Sequence, residues 1–302
     1  MPVTAVLPAL PLDVWEASKI TLHLYLQIVG KIRLTLHPKL NHWWHVTLYP
    51  SARGLTTGVI PVGNERLELA FDFIEHQLAI NTSRERRVIA LKDGLTVAAF
   101  YDAVMTHLRE LGIDVTIVAK PFDPARVGSD IPFAEDNQHA SYDPEYVNRF
   151  WRMFAWVDGV FREFQGRFYG KSTPVHLFWH SMDLVVTRFS GRAAPMEADS
   201  PVEREAYSHE VLSFGFWAGD ANVPAPAFYA YAYPEPAGLR DEPLAPAAAA
   251  WTGEGGAMAL LMYDDVREAA DARADVLAFL ESAYQAGAKR ANWDTAALTH
   301  NV

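Results

Sequence analysis

Apolar positions recur at helical spacing in four stretches of the chain and alternate in several others. Asp13 followed by Glu16 has capping-box spacing and opens a segment in which Trp15, Leu22, Leu26 and Val29 recur at roughly helical intervals. This predicts a helix over residues 13–29, ended by Gly30, although Ile20, Leu22, Leu24, Leu26 and Ile28 also alternate as a strand would. Residues 31–37, 42–50, 66–75 and 76–82 are rich in aromatic and branched side chains and read as antiparallel strands, with Leu67, Leu69, Phe71 and Phe73 in clean alternation. Thr96 caps a helix carrying Phe100, Val104, Leu108 and Leu111 that Gly112 stops, and residues 113–119 read as a further strand.

Residues 120–134 hold three prolines, a glycine and several charges, the composition of a surface connection. Asp143 with Pro144 is a strong helix start, and Phe150, Phe154, Val157, Phe161, Phe164 and Phe168 then form an aromatic stripe at helical spacing, a buried face. Strand-like segments follow at 174–179, 182–189, 206–216 and 225–233. Proline and alanine dominate 234–250, and 264–287 is a last helix carrying Val276, Phe279, Leu280 and Tyr284. The order predicts an α+β protein: an N-terminal half (1–120), a connection (121–142) and a C-terminal half (143–302), each an antiparallel sheet with flanking helices. Trp44-His45 is followed eight positions after the histidine by Arg53, and Trp179-His180 at the same interval by Arg188. Gly30-Lys31 and Gly170-Lys171 precede them, so the halves are expected to be an internal duplication, possible as one tightly packed domain.

The 302 residues, half of them hydrophobic, suffice for a sizeable core. With 37 acidic against 26 basic side chains the formal charge is -11, which disfavours nucleic acid and anionic membrane surfaces as partners. The absence of cysteine excludes disulfides, thiolate metal sites and a cysteine nucleophile. A cytoplasmic location is expected, because residues 1–12 lack a basic leader and are broken by Pro2, Pro8 and Pro11, and no apolar run approaches the ~20 residues of a membrane span. Residues 166–172 imitate a phosphate-binding loop, but with one residue too few between the glycines and a helix where a strand should precede. No dinucleotide, zincin or nucleophile-elbow motif occurs, and no cofactor is called for.

Histidine is the residue with chemistry to offer near neutral pH. On strands, His42 and His45 would point to opposite faces, and His176 and His180 would stand about 13 Å apart on one face, so neither pair can chelate a metal alone. A metal would need ligands such as His45, His180, His209 and Glu210 from several strands. Lys31, Arg53, Lys171 and Arg188 lie beside these segments and would favour a small anion; the alternative is internal pairing with Asp183, Glu205 or Glu210. Tyr229, Tyr231 and Tyr233 alternate with alanines and present a phenolic face that either stacks a ligand or packs on a helix. Residues 135–142, with Glu135, Asp136, His139, Ser141 and Tyr142, form a polar loop that also serves as a capping approach. Ser181 and Asp183 near His180 suggest a hydrolase triad only on paper, since no oxyanion loop is visible.

The blocks Asn41-His-Trp-Trp-His-Val46, Ser51-Ala-Arg-Gly-Leu-Thr-Thr57, residues 176–192 ending Arg188-Phe-Ser-Gly-Arg192, Arg204-Glu-Ala-Tyr-Ser-His-Glu210 and residues 229–236 resemble a bacterial family catalogued as a domain of unknown function. The resemblance covers nearly the whole chain and implies no activity. Three readings follow from the residues. One is an enzyme acting on a small anionic or aromatic substrate, with His45, His180 or His209 in acid-base roles. In it Lys31, Arg53, Lys171, His176, Arg188 and Glu210 bind polar or charged groups of the substrate and Tyr231 stacks. The others are a non-catalytic binding or protein-interaction module using the same cleft, and a metal-dependent enzyme.

Overall fold

The computed structural model describes residues 7–194 and 196–298, so the first six residues of the proline-broken N-terminal segment lie outside the described residues. The fold is α+β, with two antiparallel sheets of six strands each and flanking helices. Helix α1 (Leu12–Leu36) is buried at every position from Thr21 to Arg33. A helix surrounded on all sides needs no polar face, which is why its apolar residues satisfied both periodicities. The helix does not end at Gly30, and residues 31–37 form its last turns, not a strand; the stop comes at Pro38, after the His37 N–H has bonded Arg33 O. Gly30 serves a different need. A Cβ there would overlap the Trp179 ring, so glycine lets the indole lie directly on the helix backbone.

The segment 42–50 is also not a strand over most of its length. Asn41–Val46 is a 3-10 turn in which His42 (φ 54°) and Trp43 (φ 61°) are both left-handed, and pairing is confined to an isolated bridge at Leu48 and to Tyr49–Pro50 (β1). The first sheet continues with β2 (Gly54–Thr56), β3 (Ile60–Val62), β4 (Glu65–Asp72), β5 (Gln77–Thr82) and β6 (Arg86–Ala90), in the order β1-β2-β4-β5-β6 with β3 also on β4. Its buried face, Leu67, Leu69 and Phe71, meets α2 (Val97–Glu110), where Phe100 stacks on Tyr25 of α1 at 4.0 Å. Thr96 caps α2 as expected, accepting from Ala99 N. Residues 113–119 keep the alternation, with Ile113, Val115 and Ile117 buried, but pair with no strand among the described residues.

After the short α3 (Pro124–Val127), α4 (Pro144–Gly166) starts at Asp143, whose side chain accepts from Glu145 N and Tyr146 N. The second sheet comprises β7 (His176–Phe178), β8 (Asp183–Ala193), β9 (His209–Trp217), β10 (Ala227–Tyr233), β11 (Ala250–Thr252) and β12 (Met258–Met262), ordered β11-β12-β10-β9-β8-β7. Helix α5 (Pro201–Ala206) lies between β8 and β9; α6 (Tyr263–Arg267), α7 (Ala272–Arg290) and α8 (Thr295–Leu298) close the chain. The last predicted helix is therefore two, divided where the Asp271 side chain caps α7 through Ala274 N. The sheets meet edge to edge at Leu48 and Leu177, whose backbones exchange hydrogen bonds of 2.9 and 2.8 Å. One apolar core, from Leu7 to Trp293, draws on both.

Period two divides the second sheet cleanly. Phe214, Phe216 and Phe228 face α4, in ring contact with Phe164, Phe154 and Phe161 at 4.8, 5.5 and 6.4 Å. The register sets Thr187, Ser213 and Tyr231 side by side on the opposite face.

The Gly30 contact gives a prediction of definite sign. On helix propensity alone Gly30→Ala should gain about 1 kcal/mol, whereas overpacking against Trp179 costs about 1–3 kcal/mol. The variant is expected to melt below the wild type in calorimetry. A higher melting temperature would show that the Trp179 seat is not tight.

Candidate functional site

The face of the second sheet turned away from α4 is the floor of a cavity of about 610 Å³. Asp183, Val185, Thr187 and Phe189 of β8, Val211 and Ser213 of β9, and Tyr229 and Tyr231 of β10 supply it, alternate residues in each strand. The roof comes from elsewhere in the chain: the end of α1 with Lys31 and Leu34, the 41–46 turn with His42 and Trp44, the 122–126 loop, and α5. Trp179 and His180, in the turn between β7 and β8, close one end.

Hydrogen bonds fix that turn. Trp179 Nε1–H donates to Val46 O at 2.6 Å, and His23 on α1 donates from Nε2 to Trp179 O at 3.0 Å. Lys31, about one turn further along α1 than Gln27, holds its Nζ 5.6 Å from the centre of the Trp179 ring. Its residue is 8% exposed, and no carboxylate lies within 4 Å among the described residues. Burial, with the charge of Lys120, lowers its pKa from the ordinary lysine value.

The floor carries its own network. Tyr229 OH and Ser181 Oγ donate to the two oxygens of Asp183. Thr187 and Ser213 hydroxyls share a bond of 2.9 Å, as do Tyr207 and Tyr231. Burial, then the Asp183 charge, push the Tyr229 pKa well up, so its hydroxyl stays protonated and donates. The Tyr229 and Tyr231 rings are nearly parallel, 12° apart with centres at 6.2 Å.

Of the residues predicted from sequence, Lys31, His180 and Tyr231 line this cavity. His180 is half-buried, edge-on to Phe122 at 5.6 Å, and its pKa is lowered by burial. It makes no hydrogen bond to Ser181 or Asp183, so no triad forms. Lys171 stands at the opposite end, with Nζ 5.3 Å from the Trp44 ring centre and 4.9 Å from that of Phe189. It donates to His42 Nε2 at 2.7 Å, while His42 Nδ1–H donates to Glu205 O at 3.1 Å, which fixes a neutral tautomer. His209 sits behind His42, edge-on at 5.4 Å, and bonds Ser208 Oγ at 3.1 Å.

The other candidates lie elsewhere. His45 accepts from Leu40 N at 3.3 Å and packs on Trp43. Arg53 is in an exposed turn, paired with Asp72 at 2.5 Å and Glu75 at 3.3 Å, and Glu210 pairs with Arg192 at 2.6 Å. Arg188 points from the helix side of β8: its guanidinium lies 3.4 Å from the Phe164 ring centre and bonds Phe164 O, fully buried, with burial pushing it down to about 10. His176 is fully buried beside Phe178, with no hydrogen-bond partner for either ring nitrogen among the described residues. Among the described residues no group of three His, Asp or Glu side chains could hold a metal ion, and no helix is long and apolar enough to cross a membrane.

A family model described as a family of unknown function, DUF5996, matches residues 7–300. The chain belongs to this family. No curated protein and no solved structure matches it. The match spans both sheets and so the whole cavity, floor and roof together.

Sequence reasoning passed over Trp44 and Phe189 as site residues, weighed His42 and Asp183 only for a metal pair and a triad that it set aside, and named Tyr229 only within a face that stacks a ligand or packs on a helix. The alternation of Tyr229 and Tyr231 was a visible signal, and Asp183 shares the parity of Thr187 on one strand; nothing local could place the 41–46 turn above them.

Two histidines outside the cavity make acid stability predictable. Burial pushes His23 and His176 down to about 3, against about 6.5 in an unfolded chain. The folded value is the lower one, so from pH 6.5 towards 3 the unfolded chain binds protons that the folded chain refuses, and stability falls with pH. Each pH unit below about 6.5 costs ~1.4 kcal/mol per histidine. His176→Leu is therefore expected to lose about 2 kcal/mol less than the wild type between pH 7.5 and 5 in urea unfolding. Equal losses in the two proteins would show that His176 takes no part.

Proposed function

We propose that the chain binds a small anionic molecule with a flat aromatic body in the cavity between the second sheet and the 41–46 turn, with Lys31 meeting the anion. The observation that carries this reading is Lys31, a mostly buried residue of α1 whose ammonium faces the cavity and has no carboxylate partner among the described residues. A charge partly screened from water and left unpaired is costly, and an anionic ligand offsets that cost where no protein group does. The rest of the wall suits the same class of molecule. Trp44, Trp179, Phe189, Tyr229 and Tyr231 offer ring faces and edges, and Thr187 and Ser213 offer hydroxyls. The volume falls in the range of about 300–1,000 Å³ common to small-molecule sites.

His180 supports a second reading, in which the bound molecule is also transformed. Burial keeps its ring neutral at pH 7, and among the described residues it has no hydrogen bond to occupy it, as a general base requires. Mass spectrometry of ligands recovered after incubation with wild type and with His180→Gln separates turnover from binding: a product formed by the wild type alone supports it, and unchanged ligand in both removes it.

Lys31→Met keeps the length and apolar stem of the side chain and removes the charge. Against a panel of aromatic carboxylates, sulfonates and phosphates, beginning with indole-3-propionate, calorimetric titration is expected to show binding to the wild type. The variant should be weaker by about tenfold, the equivalent of ~1.4 kcal/mol, with neutral indole affected little. Equal affinities in wild type and variant, or no binding by any member of the panel, would remove Lys31 as the anion contact.

A further inference from the structure

The cavity contains a second buried charge of opposite sign. Asp183 opens β8, is 8% exposed, and lines the same space as Lys31. Both its oxygens accept from neutral hydroxyls, Oδ2 from Tyr229 and Oδ1 from Ser181. Among the described residues no Lys, Arg or His nitrogen lies within 4 Å of it, Lys31 included. The carboxylate is held in a built position. Tyr229 reaches it across β9 because the intervening residue in the register is Gly215, and a Cβ there would overlap the phenol ring and its hydroxyl.

Both charges lie beside the turn between β7 and β8. Phe178 is the Cα partner of Asp183, so the turn that follows Phe178, carrying the Trp179 ring on which Lys31 rests, adjoins the start of β8. An ammonium and a carboxylate thus face one space from opposite walls, α1 above and β8 below, without neutralising each other. Each belongs to a mostly buried residue, and direct pairing would have offset the cost of screening its charge from water. A ligand with an acid and an amine on one body pairs both at once, each through a charge-assisted hydrogen bond.

We propose that the occupant of the cavity is an aromatic zwitterion, its acid group against Lys31, its protonated amine against Asp183, and its ring along Tyr229 and Tyr231. This rests on the Lys31 reading and adds to it the amine and the residue that selects it. Asp183 would be a specificity determinant, rejecting aromatic acids that lack a donor because they leave its charge unpaired.

Matched ligands that differ by one charge test it: tryptophan, indole-3-propionate without the amine, and tryptamine without the acid, with the corresponding phenylalanine series in parallel. By calorimetric titration, wild type is expected to bind one of the amino acids at least about tenfold more tightly than either of its one-charge analogues. Asp183→Asn should abolish the advantage over the acid-only compound while leaving that compound's affinity within about twofold, and Lys31→Met should abolish the advantage over the amine-only compound. Tyr229→Phe keeps the Asp183 charge and should preserve the ranking. The wild-type ranking decides the matter even where Asp183→Asn does not fold. Acid-only compounds that bind as tightly as the amino acids, or an amino-acid advantage that survives Asp183→Asn, would overturn the zwitterion proposal and leave the Lys31 reading standing. Silence from every compound, the aromatic anions above included, would overturn both.

Discussion

The Trp179 indole lying on the bare backbone of Gly30 is the contact from which the rest of the site is built. Its Nε1–H holds Val46 O, its carbonyl is held by His23, and its ring carries the Lys31 ammonium. One residue therefore joins the central helix, the end of the left-handed 41–46 turn and the entry to β8. These belong to different halves of the chain, and the Leu48–Leu177 bridge closes the two sheets beside them. Without a glycine at position 30 the ring would stand off the helix, and roof and floor of the cavity would lose their common reference.

The second sheet then works as a divider. Even-numbered residues in the middle of β8, β9 and β10 pack towards α4, where the phenylalanine stripe predicted as core meets Phe214, Phe216 and Phe228. Its odd-numbered residues in β8, β9 and β10 include hydroxyls, phenols and a carboxylate, which a dry core would tolerate poorly but a ligand cavity can use. Arg188 and Thr187 are neighbours in sequence and serve opposite faces. The arginine is a core cation spread over Phe164, and the threonine is cavity floor.

Burial of charge is distributed unevenly. His23 and His176 answer it by remaining neutral, and Arg188 by stacking on aromatic rings beside a distant Glu281. Lys31 and Asp183 have neither remedy complete, and both face open space rather than packed side chains. That contrast separates the cavity from the other polar groups of the interior.

Local pattern alone determined the α+β class, the capped starts at Thr96 and Asp143, the inward faces of β4 and α4, and the one-sided phenols of β10, because each follows from a period or a cap within a few residues. The same pattern misread residues 31–37 and 42–46, where aromatic and branched side chains imitate a strand. There the deciding forces were non-local: helix α1 continues because Trp179, about 150 positions away, fills the space above Gly30, and the 41–46 turn adopts left-handed angles against β8 and α5. Spacing put Lys31, His180 and Tyr231 among the candidates, but only packing could bring them to one cavity and send Arg53 to solvent, Arg188 to the helix side and His176 into the core. Side-chain type is written in the sequence, whereas the partner that satisfies a charge or leaves it waiting is chosen by the tertiary fold.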